Sequence, residues 1–488
     1  ISVGMFISSL TENLGFAAGI AISVILLNYY SVSLAEHVSS TAFGSVAVLW
    51  VLSCLLGVMI RFLTGDEGLA YGAAFVLIYL LFLLVLGLPV VVMEFAVGRA
   101  SQKSAALSFE VLEPKGSKWH WGKCIALAGN YLLMMFYTTV AGWMLYYFYL
   151  MLTGRFTGAD AGEVGQMFGS MLAKPGVMAG LMLLVVVVGF GICSAGLQSG
   201  VERITKGMMA ALLGIMVLLA IHSLTMEGGA EGLAFYLKPD FGRMMEVGIG
   251  ETMVGAMNQA FFTLSLGIGS MAIFGSYIGK EHTLLKESVN IAVLDTFVAI
   301  VAGLIIFPAC FSFGINPDSG PSLIFVTLPN VFNNMAGGRI WGTLFFVFMS
   351  FAAFSTVLAV FENIISCGMD MWGLSRKKSC LINGILLAVL SLPCVLGFNL
   401  WSGFMPFGEG SNILDLEDFI VSNLLLPLGS FVYLLFCVTK KGWGFDNYLK
   451  EANTGNGWKV SKALKIYLKV VLPALILFIF AKGIIDKF

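Results

Sequence analysis

Gln259-Ala-Phe-Phe-Thr-Leu-Ser-Leu-Gly-Ile-Gly269 lies in the middle of an apolar run that extends from 249 to 279. Each glycine costs about 1 kcal/mol in a regular helix, so two of them beside a serine and a threonine predict an unwound helix. At membrane depth, backbone polar groups are left without helical partners only where they line a cavity or bind something. The same small residues also suit a close-packed seam between helices, and spacing alone leaves both readings open. Under the first reading, the stretch is the centre of a discontinuous membrane helix and a candidate binding site.

The rest of the chain supplies the membrane setting. Of its 488 residues, 58% are hydrophobic and only 11% charged, against roughly a quarter charged in a soluble domain. A bilayer span needs about 20 largely apolar residues. Such runs occupy 42–63, 71–98, 124–152, 177–195, 204–224, 249–279, 287–313, 341–371, 379–398, 413–438 and 461–485, with one more apolar segment at 14–34. The stretch 315–338, broken by Pro317, Pro321 and Pro329, is too polar to span and is expected to form an external loop structure. The fold class is an all-α polytopic membrane protein of eleven or twelve membrane segments.

Lysine and arginine crowd every second connection: Arg99, Lys103, Lys115, Lys118 and Lys123; Arg203 and Lys206; Lys280 and Lys286; Arg376, Lys377 and Lys378; Lys440, Lys441, Lys450 and Lys459. The positive-inside rule therefore starts the 42–63 span in the cytoplasm, and the expected location is the cell membrane, as a multi-pass protein. A net charge of −1 offers no basic field for nucleic acid. The eight cysteines form no C-x-x-C pair and the four histidines lie far apart, which gives little support to a metal centre or a Cys/His nucleophile. No G-x-x-x-x-G-K-[ST] motif occurs, against an ATP-driven pump, and nothing pairs a nucleophile with a base as an enzyme would need.

Two other places carry chemistry. Asp295, in Asn290-Ile-Ala-Val-Leu-Asp-Thr-Phe-Val-Ala-Ile-Val, is a carboxylate in an apolar span, where such groups are costly and by default functional. A buried neutral or structurally paired aspartate is the plainer reading. Ser355 and Thr356, in Phe351-Ala-Ala-Phe-Ser-Thr-Val, offer adjacent hydroxyls, although such residues often bond back to their own helix. Hard oxygen donors of this kind suit an alkali cation better than a transition metal.

Taken in order, several segments resemble the neurotransmitter:sodium symporter family in its bacterial, leucine-transporter-like form. They are Gly72-Ala-Ala-Phe-Val-Leu-Ile-Tyr79 with Gly87-Leu-Pro-Val-Val-Val-Met-Glu94, Phe136-Tyr-Thr-Thr-Val-Ala-Gly-Trp143, Gly200-Val-Glu-Arg-Ile-Thr-Lys206, and Gln259 to Tyr277. Ser375-Arg-Lys-Lys378 and Asp418-Phe-Ile-Val-Ser-Asn-Leu-Leu-Leu-Pro-Leu-Gly429 complete the set. The resemblance covers most of 57–485. It implies two inverted five-helix repeats, 42–224 and 249–438, with broken helices meeting at the midplane, an eleventh helix in 458–488, and an extra N-terminal segment, 1–41, of no assigned place.

The resemblance also implies roles for single residues. Tyr137 is similar to the tyrosine that donates to the substrate carboxylate, and Phe262 to the aromatic lid. Leu56, Gly57, Leu133, Ser265, Ile268, Thr356 and Val360 match the substrate pocket, whose apolar character implies a hydrophobic amino acid. Thr263 and Asp295 match one sodium site, and Ala352, Ser355 and Thr356 the other, with first-helix carbonyls, here at Ser53 and Cys54, contributing to both. Arg61 and Asp418 match the external gate, and Tyr277 and Asp370 the cytoplasmic one. Relatives with an amide at the position of Asp295 recruit chloride, so a fixed carboxylate here implies chloride-independent transport with no other cofactor. The expected partners are an amino acid, sodium and the bilayer, for a monomer or weak homo-oligomer.

The first helix departs from the family pattern. In Leu52-Ser-Cys-Leu-Leu-Gly-Val-Met-Ile-Arg-Phe-Leu63, Val58 stands where a sodium-ligating asparagine is usual, and Leu63 replaces a proline. No Arg or Lys precedes Arg61, so the arginine expected opposite Asp370 is missing. The leading reading is a sodium:amino-acid symporter working by alternating access. A non-transporting amino-acid sensor or accessory subunit of the same fold is the alternative.

Overall fold

The computed structural model describes residues 71–196, 201–237, 249–315 and 320–485. The expected segments 14–34 and 42–63 lie outside them, as do Ser53, Cys54, Leu56, Gly57, Val58 and Arg61. Among the described residues the chain is helical, and its only β contact is an isolated bridge between His282 and Asn456.

Nine described helices are long and apolar enough to cross a bilayer. They are α1 (Phe75–Ser101), α2 (Trp119–Leu152), α3 (Pro175–Ser194), α4 (Arg203–Leu224), α7 (Leu284–Ser312), α8 (Gly338–Trp372), α9 (Arg376–Gly397), α10 (Ile413–Val438) and α11 (Lys462–Ile485). Between α4 and α7 the run 249–279 is two helices, α5 (Ile249–Thr263) and α6 (Ser270–Tyr277). The stretch expected to be external holds a short helix, Leu328–Asn334.

Prolines shape the long helices. Four π turns, at Leu83–Gly87, Leu323–Thr327, Ile420–Leu425 and Tyr467–Val471, each end two residues before a proline: Pro89, Pro329, Pro427 and Pro473. A proline has no N–H for the carbonyl four residues earlier and its ring crowds that carbonyl, so the helix widens locally. In α1 the carbonyl freed in this way is that of Val85, and it accepts from the Tyr467 hydroxyl at 2.6 Å. One proline thus creates the acceptor that binds α1 to α11.

Two features of the basic side differ from the sequence reading. Arg376, Lys377 and Lys378, taken above as a connection, form the first turn of α9 behind Ser375. Arg99, counted above as a loop cation, is 1% exposed. Its Nε donates to Glu451 Oε1 at 2.6 Å and its Nη1 to the carbonyls of His282 (3.0 Å) and Gly279 (3.2 Å). It ties the end of α1 to the α6–α7 connection and to the short helix Phe445–Ala452. A buried guanidinium with several acceptors is a structural clamp, which a count of charges along the chain cannot reveal.

Packing brings the site together. The α2–α8 and α1–α6 pairs make extensive contacts, and α4 packs on both α7 and α8. At the α1–α6 crossing the backbones touch: a Cβ on Gly98 would fall 1.8 Å from the Ala272 carbonyl oxygen, and one on Gly275 would fall 2.6 Å from that of Phe95. Van der Waals contact of this closeness is how helices hold together in lipid, and it fixes α6 against α1 just beyond the break.

Candidate functional site

Residues 264–269 are turn, not helix, between α5 and α6. Gly267 (φ 85°) and Gly269 (φ 74°) take left-handed backbone, and so does Ser265 (φ 48°), which with Gln102 is the only non-glycine residue to do so among those described. A serine held there is strained, so the turn is imposed by its surroundings. The unwound reading of the Gly-Ile-Gly stretch is what the chain adopts, and Gly267 shows why a seam forms beside it as well: a Cβ on Gly429 of α10 would lie 2.0 Å from the Gly267 carbonyl oxygen.

Three helices pin the break. Glu94 of α1, fully buried, accepts from the Gly267 N–H at 2.5 Å. Asn130 of α2 donates to the Ile268 carbonyl at 2.7 Å, and Asn363 of α8 donates to the same carbonyl at 3.5 Å and to Asn130 Oδ1 at 3.0 Å. These bonds replace the helical partners that the turn forfeits. Sequence reasoning quoted Glu94 only as part of a motif and missed Asn130 and Asn363. Their signal was an amide in the interior of an apolar run, where a polar side chain needs a partner.

The oxygen donors fall into two groups. At the last turn of α5, Thr263 Oγ1 donates to Asp295 Oδ2 of α7 at 2.7 Å. The buried Tyr79 hydroxyl of α1 lies close by, beside Thr263 and Thr296. On α8, Ser355 and Thr356 both donate back to the Ala352 carbonyl, at 2.8 and 3.4 Å. This is the helix back-bonding anticipated for them, yet a hydroxyl that donates its proton keeps its lone pairs for a cation.

The expected pocket residues also gather. Leu133, Ile268 and Val360 are buried in one apolar cluster, with Tyr137 and Ala352 packed against it. The Tyr137 hydroxyl of α2 lies beside Thr356 of α8. Ser265 is half-buried in the break, and Phe262, one residue before Thr263, is 37% exposed.

Of the residues expected to form gates, Tyr277 ends α6 with its hydroxyl 3.2 Å from Glu362 Oε1 and 3.2 Å from Ser366 Oγ. Asp370 is not left without a partner, as the missing arginine suggested. It accepts from the Ser104 N–H at 2.7 Å and from Lys103 Nζ at 3.4 Å. Beside them the fully buried Glu362 is paired with Arg376, whose Nη1 donates to Oε1 at 3.0 Å and whose Nε reaches the Cys193 carbonyl at 2.7 Å. This ion pair escaped the sequence reading. At the other side Asp418 accepts from Ser422 at 2.9 Å, and its expected partner Arg61 is outside the described residues.

Comparison with known proteins gives a consistent result. The description of the sodium:neurotransmitter symporter family matches residues 56–164 and 161–487. The chain is 33% identical over 379 residues to the sodium-dependent transporter YhdH of Bacillus subtilis, covering 78% of this chain and 82% of that protein. It is 30% identical over 437 residues to a sodium-dependent transporter of Haemophilus influenzae, covering 87% and 92%. Among solved structures, MhsT in complex with L-phenylalanine matches with a TM-score of 0.75 at 35% identity, covering 87% of this chain and 93% of MhsT.

Proposed function

The chain belongs to the sodium:neurotransmitter symporter family and is a sodium-dependent, multi-pass membrane transporter of the leucine-transporter-like fold, and we propose that it carries a hydrophobic L-amino acid into the cell with sodium by alternating access. The observation that carries this reading is the break at 264–269, held by Glu94, Asn130 and Asn363, between the oxygen donors Thr263 and Asp295 and the apolar cluster around Tyr137.

In this reading the Tyr137 hydroxyl donates to the substrate carboxylate. Leu133, Ser265, Ile268, Thr356 and Val360 surround the side chain, and Phe262 covers it. Apolar walls favour a hydrophobic side chain, in keeping with the phenylalanine bound by MhsT. Thr263 and Asp295 ligate one sodium, and Ala352, Ser355 and Thr356 the other, with Ser53 and Cys54 adding backbone oxygens. Leu56 and Gly57 complete the substrate site. Sodium and substrate then stabilise each other within one cavity, and that reciprocal linkage is the coupling. Arg61 and Asp418 gate the outer side, and Tyr277 and Asp370 the cytoplasmic side. The Asp295 carboxylate supplies the negative charge that other members draw from chloride.

The test is uptake of a mixture of labelled L-amino acids into proteoliposomes, with external sodium chloride, sodium gluconate or potassium chloride. Accumulation in both sodium salts and none in potassium chloride is expected, and the accumulated label names the substrate. Uptake without sodium, or none in gluconate, refutes sodium coupling or chloride independence respectively.

A further inference from the structure

Glu417 takes no part in the site described above. It lies in the first turns of α10, is 4% exposed, and its carboxyl oxygens meet no donor among the described residues stronger than the Cys394 thiol. At this level α10 packs on α2 and on the last turns of α9. Those helices bring Thr139 (1% exposed) and Cys394 (0%) to the carboxyl, and the Thr139 hydroxyl is itself unpartnered. The remaining acidic neighbours are on the same helix. Asp415 is engaged in a capping box with Asn412, and Asp418 accepts from Ser422. No described lysine, arginine or histidine acts on Glu417.

An ionised carboxylate does not suit this place. Transfer of an unpaired charge into a low-dielectric interior costs several kcal/mol, and a thiol, a hydroxyl and two nearby aspartates offset little of it. Binding a proton removes that cost. Structural packing alone does not call for a glutamate here, since a leucine of similar bulk would fill the space with no unmatched polar atoms. An ionisable group kept inside a membrane protein with no charged partner is by default functional, and proton relays are one of its uses.

We propose that Glu417 is a proton-binding site, loaded while α10 is packed on α2 and α9 and unloaded to external water when α10 moves with the adjacent gate residue Asp418. The proton goes to water as the carboxyl becomes hydrated, so no other acceptor is required. Loading rests on the geometry alone, whereas its link to the gate rests on the transport reading. The sign follows directly. Raising external pH favours the unloaded state with α10 displaced, which opens the outer side and strengthens apparent sodium binding from outside.

The two parts are tested separately on the full chain in lipid. Infrared difference spectra of wild type minus Glu417→Gln are expected to show the carbonyl band of a protonated carboxyl, lost at alkaline pH. A spectrum with no such band, as from a carboxylate paired with a cation, overturns the site. The sodium half-saturation of uptake is then measured against external pH. In wild type it is expected to fall with rising pH by up to about tenfold per unit, the limit for one linked proton, and to be flat in Glu417→Gln and Glu417→Leu. An equal slope in the variants overturns the gate link. The apolar variant guards against misfolding of the amide one, and the spectra stand even if no amino acid is transported.

Discussion

Replacing Gly267 with alanine asks whether the break is required geometry or slack chain. Two costs can be worked from the structure. Gly267 has φ +85°, and an L-residue in left-handed backbone costs roughly 1–2 kcal/mol. An added Cβ would also lie 2.2 Å from the Leu426 carbonyl oxygen and 2.7 Å from the Ser430 nitrogen. Both are backbone atoms of α10 and cannot swing aside as a side chain would, so overpacking adds roughly 1–3 kcal/mol. The total, about 2–5 kcal/mol, falls on the peptide whose N–H satisfies Glu94.

If the break relaxes to another arrangement, the native one is depopulated at least ~30-fold, and apparent sodium affinity falls by that factor. If it does not relax, the same free energy is lost from the fold. Thermal melting of purified protein across a sodium titration reads both outcomes. Gly214→Ala is the control: it lies in α4 with nothing within 4 Å of an added Cβ, and alanine there is expected to be neutral or stabilising by up to about 1 kcal/mol. A Gly267→Ala protein with wild-type melting and wild-type sodium affinity refutes the reasoning.

Asp295→Ala removes a charged oxygen next to Thr263, and the loss of about 1.5–3 kcal/mol should raise the sodium half-saturation of uptake tenfold or more; an unchanged titration takes Asp295 out of the site. Tyr137→Phe deletes the hydroxyl beside Thr356 and should weaken amino-acid binding about tenfold, whereas undiminished affinity means that the carboxylate is held elsewhere. Arg376→Met leaves the fully buried Glu362 without its cation, at a cost of about 3–5 kcal/mol. Melting should drop sharply and recover in the Arg376→Met, Glu362→Gln double variant, and a stable single variant contradicts the pairing.

What could be read from the chain follows from where each signal resides. Span positions were legible because lipid demands long apolar runs, and 413–438 coincides with α10 end for end. Helix starts were less so, since α9 begins with three cations that look like a loop until Glu362 and the Cys193 carbonyl are placed opposite Arg376. The break was legible as two glycines amid hydroxyls, a local property. What pins it was not, because Glu94, Asn130 and Asn363 lie on three helices distant in sequence, and their convergence on residues 267 and 268 is a tertiary fact.

The basic side shows the same limit in its energetics. One face of α8 carries Glu362, Ser366 and Asp370 at helical i, i+4 steps, but their surroundings make them unequal. The Glu362–Arg376 pair has side-chain exposures of 0% and 20%. Removing either partner strands a buried charge, so the pair acts as a fixed bond between α8 and α9. The Lys103–Asp370 pair spans 3.4 Å with exposures of 43% and 22%, and a contact of that kind contributes at most about 1 kcal/mol. Sequence alone ranks Asp370 as the gate residue in need of an arginine and passes over Glu362. Burial reverses the order of strength. The stronger tie between α8 and its neighbours therefore lies two turns deeper, at Glu362 with Arg376 and Tyr277, and in the proposed transport cycle the more exposed Asp370 needs only a lysine contact weak enough to open.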